Sequence, residues 1–346
     1  MAMAGTLRGE PAAAPERVLT GWGGRKAQQT VPAAAAIGVR QIVVHHDQAE
    51  EFTQFIELGQ KHGINVFAWL TLSDVKVWKQ DRPGEEPPLQ VMTAEEDDAV
   101  RQINAMATRD RAPYQWGGEP VMPREALLSE LLCFHDERVP AFFKRQIEQM
   151  LSFPGVAGVA LDFIGYRNYR CCHCPRSQEL ADAFARAHPQ LSSEQALEAF
   201  SLQSLVAFSN ELTAHVRAIN PKARVITHVY PVYLPRPLYG NLLDVDECGQ
   251  TAAWFFQPFW SLDKVRQYTQ VIVGEEAKHF PHARGAALLG YYAWTGKTAA
   301  RVGEELDAIL AAGCTRVQVC DLAGVLANPD VAAEFARRFV ASKPAP

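Results

Sequence analysis

The sequence predicts an α/β protein, a single (β/α)₈ barrel with a long insertion after its third strand. Three observations predict it. The chain has 346 residues, enough for one large barrel domain. Short apolar runs recur along it, each followed by a helical pattern. The runs are continuous rather than alternating, as expected of parallel strands covered on both faces. A doubly wound sheet is the second choice, and no Gly-rich fingerprint follows the first run to support it.

The elements follow in order. Arg17–Trp22 reads as the first strand, Gln41–Asp47 as the second and Asn65–Thr71 as the third. Val31–Gly38 can form a short helix, and Phe52, Phe55, Ile56 and Gly59 share one face of the next, which Gly63 stops. Gly158–Ile164 is the fourth strand and Ala223–Val229 the fifth. Leu242–Glu247, Ala286–Trp294 and Thr315–Asp321 complete the set. Ser192 with Gln195 fits a capping box ahead of a stripe from Leu197 to Ile219, and Asn220-Pro221 ends it. Val302, Leu306, Ile309 and Leu310 form another stripe, closed by Gly313, and Asn328-Pro329 opens the last helix. The expected layout is an extended N-terminal segment, 1–16, and a barrel over 17–342. A lid-like insertion, 73–130, carries Pro83-Gly84, Pro87-Pro88 and Trp116-Gly117-Gly118.

Composition narrows the function classes. Apolar residues are 48% and charged residues 21%, which suits a packed globular chain. Net charge is −5, so no polyanion-binding footprint is present and nucleic acid is not an expected partner. No apolar run reaches the roughly 18 residues of a membrane span, so no membrane partner is expected. Met1–Gly5 shows no secretory core, and no Asn-x-Ser/Thr acceptor occurs. These favour a cytoplasmic chain with reduced thiols; removal of a leader would allow a secreted or periplasmic one. Oligomeric state is not legible.

In this fold working groups sit at the carboxyl ends of strands. Asp162 interrupts the apolar run Val159–Ile164, and a buried carboxylate there needs partners or a polar cavity. An ion pair with Arg167 or Arg170 is the structural alternative. Glu247 ends the run Leu243–Glu247 and could share a pocket with Asp162; a salt-bridged strand end is the other reading. Two such carboxyl groups can flank a glycosidic bond, one held protonated by its surroundings. A separation of about 5–5.5 Å would give retention, and about 6.5–9.5 Å inversion. Trp22, Trp69, Tyr292 and Trp294 are aromatics near strand ends, suited to the C–H faces of a sugar or to ordinary core. His45, His46, His135, Asp136, Arg167 and His228 are expected to bind hydroxyls.

Arg170-Cys171-Cys172-His173-Cys174-Pro175 is dense in thiol and imidazole. Zinc on Cys171, Cys172, His173 and Cys174 is compatible with the ligand types, but four nearly consecutive ligands are awkward around one tetrahedron. Cys133 or Cys248 could complete a site. A structural loop cluster ranks first, a metal site second, a strained vicinal disulfide third. No cofactor is expected.

The run Pro154–Tyr166, followed by Cys172-His173-Cys174, resembles bacterial glycoside-hydrolase-like barrels loosely related to the amylase and β-galactosidase barrels. Such proteins are similar in a glycine-led apolar fourth strand ending in Asp, then a tyrosine and a Cys-x-Cys-x-x-Cys loop. The resemblance covers about Leu131–Pro189. It implies a (β/α)₈ fold, a carbohydrate substrate, and a catalytic or substrate-binding role for Asp162. Ser177 stands where the third loop cysteine would fall, and Gly165 where relatives often carry arginine.

The expected function is therefore glycoside hydrolysis. Asp162 would be nucleophile or transition-state stabiliser, and Glu247 general acid/base. Two alternatives stand beside it. One is a metal-dependent hydrolase or sugar isomerase using His45, His135, Asp162, His228 and Glu247. The other is a non-catalytic carbohydrate-binding barrel.

Overall fold

The computed structural model describes residues 16–97, 114–116, 119–121, 130–168, 170–229, 239–257 and 259–340. The expected N-terminal segment 1–16 lies outside these except for Glu16, as does the centre of the insertion 73–130.

Eight parallel strands close into a barrel: β1 (Val18–Trp22), β2 (Val39–Val44), β3 (Asn65–Thr71) and β4 (Gly158–Asp162), then β5 (Arg224–Val229), β6 (Glu247–Ala253), β7 (Arg284–Gly290) and β8 (Arg316–Cys320). Each strand pairs with its neighbours in sequence, and β8 closes on β1 from Val18↔Arg316 to Trp22↔Cys320. The (β/α)₈ expectation is met.

The helices are α1 (Ala27–Ala36), α2 (Ala49–His62), α3 (Val75–Asp81), α4 (Arg138–Leu151) and α5 (Pro175–Ala187). They continue with α6 (Ser193–Ile219), α7 (Leu262–Glu275), α8 (Ala299–Ala311), α9 (Leu322–Leu326) and α10 (Pro329–Phe339). Their ends follow local chemistry. Gly63 stops α2 in the left-handed region, φ 66°, which costs a glycine little. Ser192 and Gln195 form a reciprocal capping box on α6. Asn328 caps α10 and Pro329 occupies its first turn. Apolar stripes such as Phe52, Phe55 and Ile56 of α2, and Val302, Leu306 and Ile309 of α8, bury against the barrel. Among the described residues no helix is long and apolar enough to cross a membrane.

Strand β6 departs from the expectation of Leu242–Glu247. Tyr239–Leu242 is a 3₁₀ turn, and the strand begins at Glu247 rather than ending there. Leu243 and Val245 are buried, but the backbone there is fixed by side chains instead of a ladder. The Asp246 carboxylate accepts the Val225 amide at 2.7 Å, and the Asp244 amide donates to Asn210 Oδ1 at 2.7 Å.

The barrel interior is polar along one path. Trp22 Nε1 donates to Gln318 Oε1 at 2.9 Å, and Gln318 Nε2 donates to Glu247 Oε1 at 3.0 Å. Gln318 crosses to β6 over Gly249, where an added Cβ would stand 2.0 Å from its Oε1. Close approach also explains Gly158, φ 153°, whose Cβ would meet the Arg224 carbonyl oxygen at 1.8 Å.

The insertion leaves from β3. Its α3 seats the fully buried Trp78 5.1 Å from the Phe142 ring of α4. Leu89 bridges Leu132 antiparallel, and the Leu132 amide donates to the Leu72 carbonyl at 3.0 Å. This return brings Cys133 and His135 beside the loop that follows β4.

Candidate active site

Asp162 is the last residue of β4, paired in register with Thr71 of β3, and it is buried. Three groups hold its carboxylate. Trp69 Nε1 donates to Oδ2 at 3.2 Å, the Phe163 amide donates to Oδ1 at 2.9 Å, and His228 Nδ1 lies 3.3 Å from Oδ1. Phe163 holds φ 52°, a left-handed conformation costing on the order of 1 kcal/mol outside glycine, and carries the amide on that carboxylate. His228 is itself fixed from behind, its Nε2 3.0 Å from Thr251 Oγ1. Arginine takes no part in these contacts.

A second carboxyl group stands at the next strand end. Asp74 follows β3, and its Oδ2 accepts the Thr71 amide at 3.3 Å. Burial pushes its pKa up to about 7; the Thr71 hydrogen bond opposes this, and Asp162 and Asp47 add to it. Asp74 thus senses Asp162 electrostatically across the mouth. Sequence reasoning missed it, because it lies just past the strand in what reads as the start of an insertion. The signal available was its place at a carboxyl end, shortly after Thr71.

Aromatic rings continue outward from Asp162. His45 stacks on Trp69 at 4.5 Å and 10° between planes, and Trp22 meets Trp69 edge-on at 5.4 Å. His228 approaches Phe255 at 6.3 Å, Phe255 lies 5.5 Å from Tyr292, and Tyr292 stacks on Trp294 at 5.9 Å. Trp294 is 49% exposed, so the series ends on a face open to solvent. Loss of water around the ring holds His45 below the usual imidazole range, against the pull of Asp47 and Asp162. Burial does the same for His46, with Asp47 opposing, and the His46 ring packs edge-on against Phe52 at 6.3 Å.

The other predicted residues lie elsewhere. Glu247 is a correction: it starts β6 inside the barrel and is fully buried. Its Oε2 accepts Arg316 at 2.7 Å, and its Oε1 accepts Gln318 at 3.0 Å and Thr20 at 3.4 Å. With both carboxylate oxygens engaged by other interior groups, it is not placed to share a substrate with Asp162. Trp22 is buried in the same network and presents no open face. His135 turns to Ser177, with Nδ1 2.6 Å from Oγ, among Phe134, Tyr166 and Phe200. Burial, then Arg176, lowers its pKa to about 4. Asp136 is tied to Arg138 through Oδ1 and Oδ2 at 2.9 and 2.8 Å, which lowers its pKa. Arg167 faces the insertion, 3.9 Å from Asp97. The donor set for a metal-dependent barrel is therefore divided: His45, Asp162 and His228 are at the mouth, His135 is beside the thiols, and Glu247 is in the interior.

The thiols also regroup. No disulfide joins the described cysteines. Cys133, Cys172 and Cys174 bring their sulfurs within 4.8 Å of one another. Cys171 instead pairs with His173, 3.4 Å from Nε2, and His173 lies 3.3 Å from Glu96. The four consecutive residues considered from sequence do not converge; Cys133 from the insertion's return replaces Cys171. Three thiols at this spacing fit a soft divalent ion such as zinc.

Set beside known proteins, the sequence matches no family model and no curated protein. Solved structures do match. A β-galactosidase from the haloarchaeon Halorubrum lacusprofundi shares 14% identity at a TM-score of 0.55, covering 92% of this chain and 57% of that one. A GH42 β-galactosidase from G. stearothermophilus shares 11% at 0.54, covering 95% and 58%. One from Rahnella sp. R3 shares 12% at 0.53, covering 93% and 55%. The chain spans little more than half the length of these enzymes. At these identities the likeness is one of fold: the chain is a (β/α)₈ barrel of the architecture on which β-galactosidases are built.

Proposed function

We propose that the chain is a glycoside hydrolase acting at the mouth of its barrel, with Asp162 and Asp74 as the carboxyl pair. The observation that carries this reading is the contrast between them. Asp162 is clamped by Trp69, His228 and the Phe163 amide, while burial holds Asp74 at about 7. Two carboxyl groups with environments this different can divide the work: a protonated one to donate to the leaving oxygen, and a fixed one to face the anomeric carbon. Asp74 takes the acid role that Glu247 held in the sequence reading. Trp69, Tyr292 and Trp294 supply aromatic faces for sugar rings, and His45 and His228 supply polar atoms beside Asp162. The likeness to β-galactosidase structures supports a saccharide substrate without specifying it. The chemistry runs on carboxyl groups alone, with no cofactor in any step.

The test is turnover on a panel of aryl glycosides and oligosaccharides. Asp162→Asn is expected to lower kcat at least about a hundredfold while the protein keeps its melting temperature within a few degrees. Undiminished hydrolysis by that variant would remove the reading. Saccharide binding by the wild type with no turnover on any substrate would favour the non-catalytic binding barrel.

A further inference from the structure

Zinc with four ligands is tetrahedral, and Zn–S bonds of about 2.3 Å place neighbouring sulfurs about 3.8 Å apart. Cys133 Sγ lies 3.6 Å from Cys172 Sγ and 3.7 Å from Cys174 Sγ. Those are the edges of a tetrahedron already drawn to size. The fourth corner is occupied as well. Ser177 Oγ lies 3.5 Å from Cys133 Sγ and 3.1 Å from Cys174 Sγ, close to the roughly 3.5 Å expected between sulfur and oxygen on one zinc ion. Ser177 is 1% exposed, in the first turn of α5, directly behind the thiols.

A second, independent feature points the same way. Backbone N–H groups converge on the sulfurs. Val91 and Cys174 donate to Cys172 Sγ at 3.4 Å each, Ser177 donates to Cys174 Sγ at 3.4 Å, and the His135 amide serves Cys133. A neutral thiol is a poor acceptor, whereas a metal-bound thiolate gains from such donors. Behind the fourth corner, His135 Nδ1 lies 2.6 Å from Ser177 Oγ, a short contact between an imidazole and a hydroxyl. The other ring nitrogen of His135, Nε2, is buried with no partner among the described residues.

We propose that Cys133, Cys172 and Cys174 bind one zinc ion whose fourth ligand is Ser177 Oγ, and that His135 takes the hydroxyl proton. Binding displaces the thiol protons to solvent, and the serine proton passes to Nδ1. His135 is here a positioning residue: it makes a hydroxyl a competent ligand where the loop pattern would otherwise place a fourth thiol. The site lies apart from the Asp162 mouth, so the inference stands or falls without the hydrolase reading.

The experiment measures metal, not turnover. The full chain is produced in zinc-replete medium, its metal content measured, and its affinity for zinc determined by competition with a chromophoric chelator. Cobalt replacement then reports geometry through thiolate charge-transfer and ligand-field bands. The wild type is expected to hold one zinc per chain and to give a tetrahedral cobalt spectrum. Ser177→Ala and His135→Gln should each weaken binding about tenfold to a hundredfold. Ser177→Cys, a near-isosteric change that keeps the fold, should bind more tightly and make the affinity indifferent to His135→Gln. A wild type with no stoichiometric zinc and no cobalt spectrum would overturn the proposal. So would Ser177→Ala binding as the wild type does, which would give the fourth corner to another group. A loss of affinity on His135→Gln as large in the Ser177→Cys background as in the wild type would also overturn it.

Discussion

Asp162 and Asp74 show how neighbouring strand ends give one side chain to two tasks. The first is fixed by an indole N–H, a backbone amide and an imidazole; the second loses water with one amide in compensation. Because the Asp74 carboxyl is held up at about 7, its acid form dominates below that pH and disappears above it. Hydrolysis should therefore fall as pH rises through about 7, and Asp74→Asn should lower kcat and flatten that limb; the pH–rate profile checks both. Stability has a related dependence. A carboxyl whose folded pKa lies above its unfolded one favours the fold at acid pH and loses that contribution as pH rises towards and through about 7. The wild type should thus melt lower at about pH 8 than at about pH 5, and Asp74→Asn should lessen the difference. At this scale the sequence was legible where chemistry and pattern disagree: a carboxylate inside Val159–Ile164 stands out. Asp74 does not stand out, because its acidity comes from burial by a loop whose path no local pattern encodes.

The elements were legible wherever apolar runs are long. Seven strands fall where β-branched and aliphatic residues cluster, and the α6 cap forms as Ser192 and Gln195 require. Strand β6, Glu-Cys-Gly-Gln-Thr-Ala-Ala, has one β-branched residue and no large aliphatic, so the apolar Leu243 and Val245 just before it drew the assignment. What makes it a strand is tertiary. Gly249 leaves room for Gln318, and Thr251 holds His228. A comparable backbone constraint governs the β4–β5 pairing, where Gly158 lies against the Arg224 carbonyl oxygen. Gly158→Ala cannot keep that contact, since neither backbone can yield without breaking the ladder. It should destabilise the fold by several times the roughly 1 kcal/mol typical of a point substitution, measured as a lower denaturant midpoint.

Across the whole molecule, one hydrogen-bonded path runs from the tryptophans below the mouth to the far end of the barrel. Trp22, Gln318, Glu247 and Arg316 are its links. Glu247→Ala would leave Arg316 and Gln318 without their acceptor, and should lower stability by about 3 kcal/mol, at the lower bound for a broken buried pair because Arg316 reaches water. The kcat of the folded variant should stay within a few-fold of wild type, which separates a scaffold role from a catalytic one. Filling the cylinder in this way also gives it a sealed base. Anything that enters above Asp162 must leave by the same opening, so departure of a cleaved saccharide competes with arrival of the next. Product inhibition should accordingly be competitive, and the rim around Trp294, rather than the strands beneath, sets how fast the vestibule clears.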